Sequence, residues 1–89
     1  SMSLSVICQD QAETDKLWFG LIADGGEESQ CGWLKDPFGL SWQIVPKRLG
    51  ELLGDPNPAR AAAAQQEMMG QRRLIIADLE AAADAAAPA

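Results

Sequence analysis

Pro37 constrains this chain more tightly than any other residue. It lies in Asp36-Pro37-Phe38-Gly39, between two short runs rich in Trp, Leu, Ile and Val, within the stretch CGWLKDPFGLSWQIVP from Cys31 to Pro46. Asp, Pro and Gly at those positions suit a type I turn with a left-handed glycine at its end. The proline ring fixes φ at about −65°, which excludes the primed two-residue turns that need positive φ there. What is left is a β-hairpin in which Gly39 is the extra, bulged residue.

The bulge sets the register. Asp36 lies opposite Leu40 and Trp33 opposite Gln43, so alternation puts Cys31, Trp33, Lys35, Ser41, Gln43 and Val45 on one face. Gly32, Leu34, Leu40, Trp42 and Ile44 share the other, which is apolar and fit to pack against helix. The first face mixes an aromatic ring with an amide, a hydroxyl, a thiol and an ammonium, and a face of that kind suits a ligand cup. The same spacing also fits a half-solvated sheet face with one tryptophan resting on it.

Along the chain, Ser3 to Gln9 alternates as a strand, with Leu4, Val6 and Cys8 on one side and Ser3, Ser5, Ile7 and Gln9 on the other. Asp10 then caps a helix, with Glu13 completing a capping box and Leu17, Trp18, Leu21 and Ile22 forming a core stripe up to about Asp24. Gly25 to Ser29 is a turn that can lead into a short strand. After the hairpin, Pro46 to Leu53 reads as a short helical turn folded onto the sheet. Gly54-Asp55-Pro56 breaks it, and Asn57 and Pro58 open an Ala-rich helix that Gly70 ends, with Ala61, Ala64, Gln65 and Met68 along one side. Met68 and Met69 read as flexible filler rather than ligands for a soft metal. A last helix covers Leu74 to Ala82, with Ile75, Ile76 and Leu79 on its apolar side. It lacks an evident cap, so it begins earlier or joins the helix before it. Ala83 to Ala89 should fray.

Eighty-nine residues, 47% of them apolar, make one small domain with a limited core, which a partner chain would help to bury. A net charge of −6 disfavours nucleic acid and anionic membrane surfaces as partners. No run is apolar enough to cross a bilayer, and the stretch SMSLSVIC has no basic region followed by an apolar core, so neither export nor insertion is indicated and the cytoplasm is the expected location. Ser1 and Met2 read as an expression remnant. Cys8 and Cys31 fall in predicted strands, without zinc-site spacing and with no histidine in the chain, and read as buried thiols, a disulfide between them being the rarer alternative.

The string CGWLKD…FG…WQIVP, preceded by Asp15-Lys16-Leu17-Trp18 and followed by Leu52-Leu53-Gly54-Asp55-Pro56, resembles the second half of PhnB-like proteins. These belong to the vicinal oxygen chelate superfamily of glyoxalases, bleomycin-resistance proteins and extradiol dioxygenases, and many carry the description 3-demethylubiquinone-9 3-methyltransferase. The resemblance runs from about Ser3 to about Ala82. It implies an α+β fold: one βαβββ module over residues 3–46, with a C-terminal helical extension over 47–89. It also supplies the third strand that the residues leave ambiguous. Such modules pair to close a cup, and this chain resembles the second module only, so the expectation is a homodimer. In metal-using relatives the ligands come from the first and last strands. Here those positions fall near Leu4 or Ser5 and at Gln43, so no metal and no other cofactor is expected.

The chain also lacks a Gly-rich strand-to-helix turn for a nucleotide-type methyl donor. Without a metal, Lewis-acid chemistry loses its mechanism, and no base is visible to activate Cys31. The leading expectation is a small-molecule-binding module with no catalytic residues of its own. In it Trp33 offers a stacking surface, Gln43 and Ser41 offer hydrogen bonds, and Lys35 and Cys31 are the titratable groups of the same face. The alternatives are a metal-dependent lyase, isomerase or dioxygenase completed by another chain or a first module, and a non-binding dimerisation or scaffold domain whose cup is filled by its own side chains, such as those of the Met68 helix.

Overall fold

The structure, a computed structural model, describes residues 2–86. Its elements in chain order are strand β1 (Ser3–Cys8), helix α1 (Gln11–Ile22), strands β2 (Glu27–Glu28), β3 (Trp33–Lys35) and β4 (Ser41–Pro46), and helices α2 (Lys47–Leu53), α3 (Pro58–Met69) and α4 (Ile76–Ala86). The hairpin forms as Pro37 dictates. Gly39 takes a φ of 86°, its N–H donates to the Asp36 carbonyl at 2.9 Å, and Asp36 N–H donates to the Leu40 carbonyl at 2.9 Å. Trp33 therefore faces Gln43, Leu34 faces Trp42 and Lys35 faces Ser41, the expected register.

The sheet order is β1-β4-β3-β2. β1 runs parallel to β4, and the remaining pairs are antiparallel. With α1 as the crossover between β1 and the other strands, this is the α+β βαβββ arrangement, and β2 is its short third antiparallel strand. α1 starts at the capping box: Asp10 Oδ1 accepts from Glu13 N–H at 2.8 Å, and Glu13 Oε1 reaches back to Gln9 N–H at 3.0 Å. It ends at Ile22, two residues before Asp24, because Asp24 (φ 60°) and Gly25 (φ 110°) both turn left-handed.

The apolar sheet face packs on α1 as its alternation requires. Cys8, Trp18, Leu34 and Ile44 are buried together, with Val6, Leu17, Leu21, Ile22 and Trp42 around them. Side chains of this size each stabilise the fold by about 1.5–3 kcal/mol when fully buried. The C-terminal helices make a second core from Leu49, Leu52, Ala64, Leu74, Leu79 and Ala83, onto which Val45 and Met68 pack.

Two expectations for the C-terminal region need correction. α4 begins at Ile76 rather than Leu74, and it neither starts earlier nor joins α3, because Gly70 to Ile75 intervenes. Its missing cap is supplied from a distance. Gln11 Oε1 accepts from Ile76 N–H at 2.7 Å, and Gln71 Oε1 accepts from Ile75 N–H at 2.9 Å. Ala83 does not fray: it is buried and helical, and α4 continues to Ala86. Residues 87–89 of the expected frayed end lie outside the described residues.

Candidate functional site

Parallel pairing of β1 with β4 widens the open face of the hairpin by one strand. Val6 and Cys8 turn toward α1, so Ser3, Ser5 and Ile7 turn the other way, opposite Ser41, Gln43 and Val45. Two rows result across the sheet. One is Ser5, Gln43 and Trp33; the next is Ser3, Ser41, Lys35 and Glu27. α1 covers the opposite face, and the helical extension reaches this one at Val45. Beside β2 and β3 lies an open depression of about 370 Å³ lined by Glu27, Glu28, Ser29, Trp33, Leu34, Lys35 and Ser41.

Of the residues expected on this face, Trp33, Lys35 and Ser41 line the depression, and Gln43 stands next to Trp33, outside the lining. Met68, like Val45 of this face, packs against the second core. Cys31 departs from expectation. It is not in a strand but in a turn, with φ 59°, followed by Gly32 at φ 82°. Two successive left-handed residues cannot continue a pleated strand. Their N–H groups turn instead to the linker between α3 and α4, donating to the carbonyls of Gln71 and Arg72, each at 2.8 Å. A Cβ at Gly32 would come within 2.9 Å of the Ile44 carbonyl oxygen and 3.0 Å of Leu74 Cδ1, so this close approach requires glycine. The turn aims the Cys31 carbonyl at Gln43, whose Nε2 donates to it at 3.3 Å.

Both cysteines are free thiols. Cys8 is buried, and that burial pushes its pKa up, while Cys31 is only half-buried. Glu28 faces the α1 side of the sheet, where its Oε2 accepts from Trp18 Nε1–H at 2.8 Å. Sequence reasoning missed Ser5 and Glu27 as members of the open face. The alternation of β1 carried the signal for Ser5, but its placement beside Gln43 depends on which strand β1 pairs with.

The chemistry of these donors decides what the face can hold. Among the described residues no three His, Cys, Asp or Glu side chains gather to hold a metal ion. Ser5 and Gln43, paired across β1 and β4, offer a hydroxyl and a neutral amide. That pair does not fit a tightly held divalent ion.

A family model described as 3-demethylubiquinone-9 3-methyltransferase matches residues 1–45, which span β1 through all but the last residue of β4. The chain belongs to this family. No curated protein matches it. The activity in the family's description needs a methyl donor, and the strand-to-helix turn of this member does not fit one. Cys8-Gln9-Asp10-Gln11 contains no glycine, and the Asp10 carboxylate already caps α1. No methyl-transfer step can be derived from these residues. Among the described residues no helix is long and apolar enough to cross a membrane.

Proposed function

We propose that this member of the 3-demethylubiquinone-9 3-methyltransferase family is a small-molecule-binding module that acts as a homodimer, with the open sheet face as its ligand platform. One observation carries the reading: polar and aromatic side chains from β1, β4 and β3 share a face that α1 leaves uncovered. A sheet face that only needed solvation would suit charged and small polar residues. Trp33 instead stands half-buried at the edge of a 370 Å³ depression, where its ring offers stacking area worth about 0.5–1.5 kcal/mol beyond simple burial. Lys35 and Ser41 beside it supply a cation and a hydroxyl. The platform binds by stacking and hydrogen bonds, and no residue on it is poised to make or break a covalent bond.

Trp33→Ala tests this. Nile red, a neutral aromatic dye, should bind the wild-type protein with enhanced fluorescence, and the variant should lose most of that enhancement while its melting temperature moves little. A large drop in melting temperature with unchanged dye binding would make Trp33 a core residue instead.

A further inference from the structure

Two opposite charges in the depression beside β2 and β3 take no part in the ion pairs of the fold. Glu27 lies directly across the strand pair from Lys35, and Lys35 lies across from Ser41, so the three stand in one row on the open face. All three line the depression together with Trp33, which is two residues from Lys35 along β3 and on the same side of the strand. Elsewhere the chain joins its charges to one another. Arg48, Arg60, Arg72 and Arg73 are each in an ion pair, and the other carboxylate of β2, Glu28, is shared between the Trp18 indole and Arg72. Lys35 and Glu27 are both exposed, and among the described residues neither is in an ion pair, with the other or with any third group. An exposed cross-strand pair contributes little to stability in water, so both charges remain available to a ligand.

We propose that this depression takes a zwitterion: a small aromatic amino acid whose carboxylate meets Lys35 and Ser41, whose ammonium meets Glu27, and whose ring lies on Trp33. The inference rests on the binding-platform reading and adds the ligand class to it. Neighbouring strands are about 4.8 Å apart, so the two charges are carried at adjacent positions, as they are in a molecule whose carboxylate and ammonium share one carbon. Trp33 is about 7 Å further along β3, which leaves the charges at one end of the ligand and the ring at the other. The Ser41 hydroxyl lies on the side of Lys35 away from Glu27 and sets the direction: carboxylate toward β4, ammonium toward the edge strand β2. Both contacts are charge-assisted hydrogen bonds. A ligand with the carboxylate alone brings it beside Glu27 with nothing to offset the repulsion, and one with the ammonium alone meets Lys35 in the same way. The volume of about 370 Å³ suits a molecule of amino-acid size.

The test is a set of 1H–15N NMR titrations at neutral pH, low ionic strength and millimolar ligand with L-tryptophan, indole-3-propionate and tryptamine. The three share an indole ring and carry both charges, the carboxylate alone and the ammonium alone. Tryptophan should bind the wild-type protein about three- to tenfold more tightly than either analogue, as two exposed charge pairs allow, with the resonances of Glu27, Trp33, Lys35 and Ser41 moving. Lys35→Gln should abolish the preference over tryptamine, and Glu27→Gln the preference over indole-3-propionate. Both side chains are exposed, so neither substitution disturbs the fold. Equal affinities for the three ligands, an analogue that binds more tightly than tryptophan, or a preference that survives its variant overturns the zwitterion proposal and leaves the platform intact. If none of the ligands moves those resonances, the platform reading fails and takes the proposal with it.

Discussion

Asp36 concentrates three interactions on one carboxylate. Oδ1 accepts from the N–H groups of Phe38 at 2.9 Å and Leu40 at 3.0 Å, and Oδ2 accepts from Trp42 Nε1–H at 3.0 Å. The Trp42 indole first, and then the backbone amides of Leu40 and Phe38, hold the carboxyl below the ordinary aspartate range. A carboxylate whose pKa is lower folded than unfolded adds stability that is fully present above the unfolded value. That stability is lost as pH falls through the folded one. The window therefore runs downward from about pH 5. Asp36→Asn keeps an acceptor for the turn but presents an amide N–H to the indole N–H, or gives up one of the turn bonds. Its urea midpoint should lie below that of the wild-type protein at pH 7, and the gap should narrow as the pH is lowered below 4. A gap that stays constant with pH would mean that the charge on Asp36 plays no part in holding the hairpin.

Between elements, Gln11 joins the sheet unit to the helical extension. Its Oε1 caps α4 through Ile76 N–H at 2.7 Å, and its Nε2 donates to the Leu74 carbonyl and to Asp15 Oδ1, each at 2.9 Å. Arg73 adds an ion pair to the same Asp15 oxygen at 2.7 Å. Gln11→Ala should cost about 1–2 kcal/mol in urea unfolding, the usual loss of a cap with its hydrogen bonds. Amide hydrogen exchange should quicken at Ile76 before it does in β4. This contact also explains where sequence reasoning stopped. The hairpin and the start of α1 were legible because Pro37, Gly39 and the Asp10–Glu13 capping box act within a few residues of themselves. The start of α4 was not, since its cap comes from 65 residues away. Cys31 failed for the same reason: its left-handed backbone is held by Gln71, which no local pattern reveals. Once Gly39 fixed the register, Trp33, Lys35, Ser41 and Gln43 could be placed on one face. Ser5 and Glu27 joined them only through the pairing of β1 and β2.

At the scale of the molecule, α1 covers one face of the sheet, and β1 is an edge strand among the described residues. β1 pairs with β4 on one side only, and its run Ser-Leu-Ser-Val-Ile-Cys carries no charge, proline or bulge to blunt the other. Leu4 and Ile7 are 39% and 66% exposed on opposite faces of that strand. A strand of this kind is poorly suited to face water and well suited to a second copy, and a two-fold axis there sets two open faces side by side. Light scattering after size-exclusion chromatography should therefore give twice the chain mass across a range of concentrations. Ile7→Lys should bring it down to a single chain. Because Ile7 is mostly exposed within one protomer, that substitution should change the stability of the isolated chain by no more than about 0.5 kcal/mol. The Trp33 platform would then survive in the monomer, with weaker dye binding where the proposed partner adds to the ligand surface. A wild-type protein that runs as a monomer at all concentrations would remove the homodimer from the proposed function. Unchanged dye binding in a monomeric Ile7→Lys protein would show that one open face binds unaided.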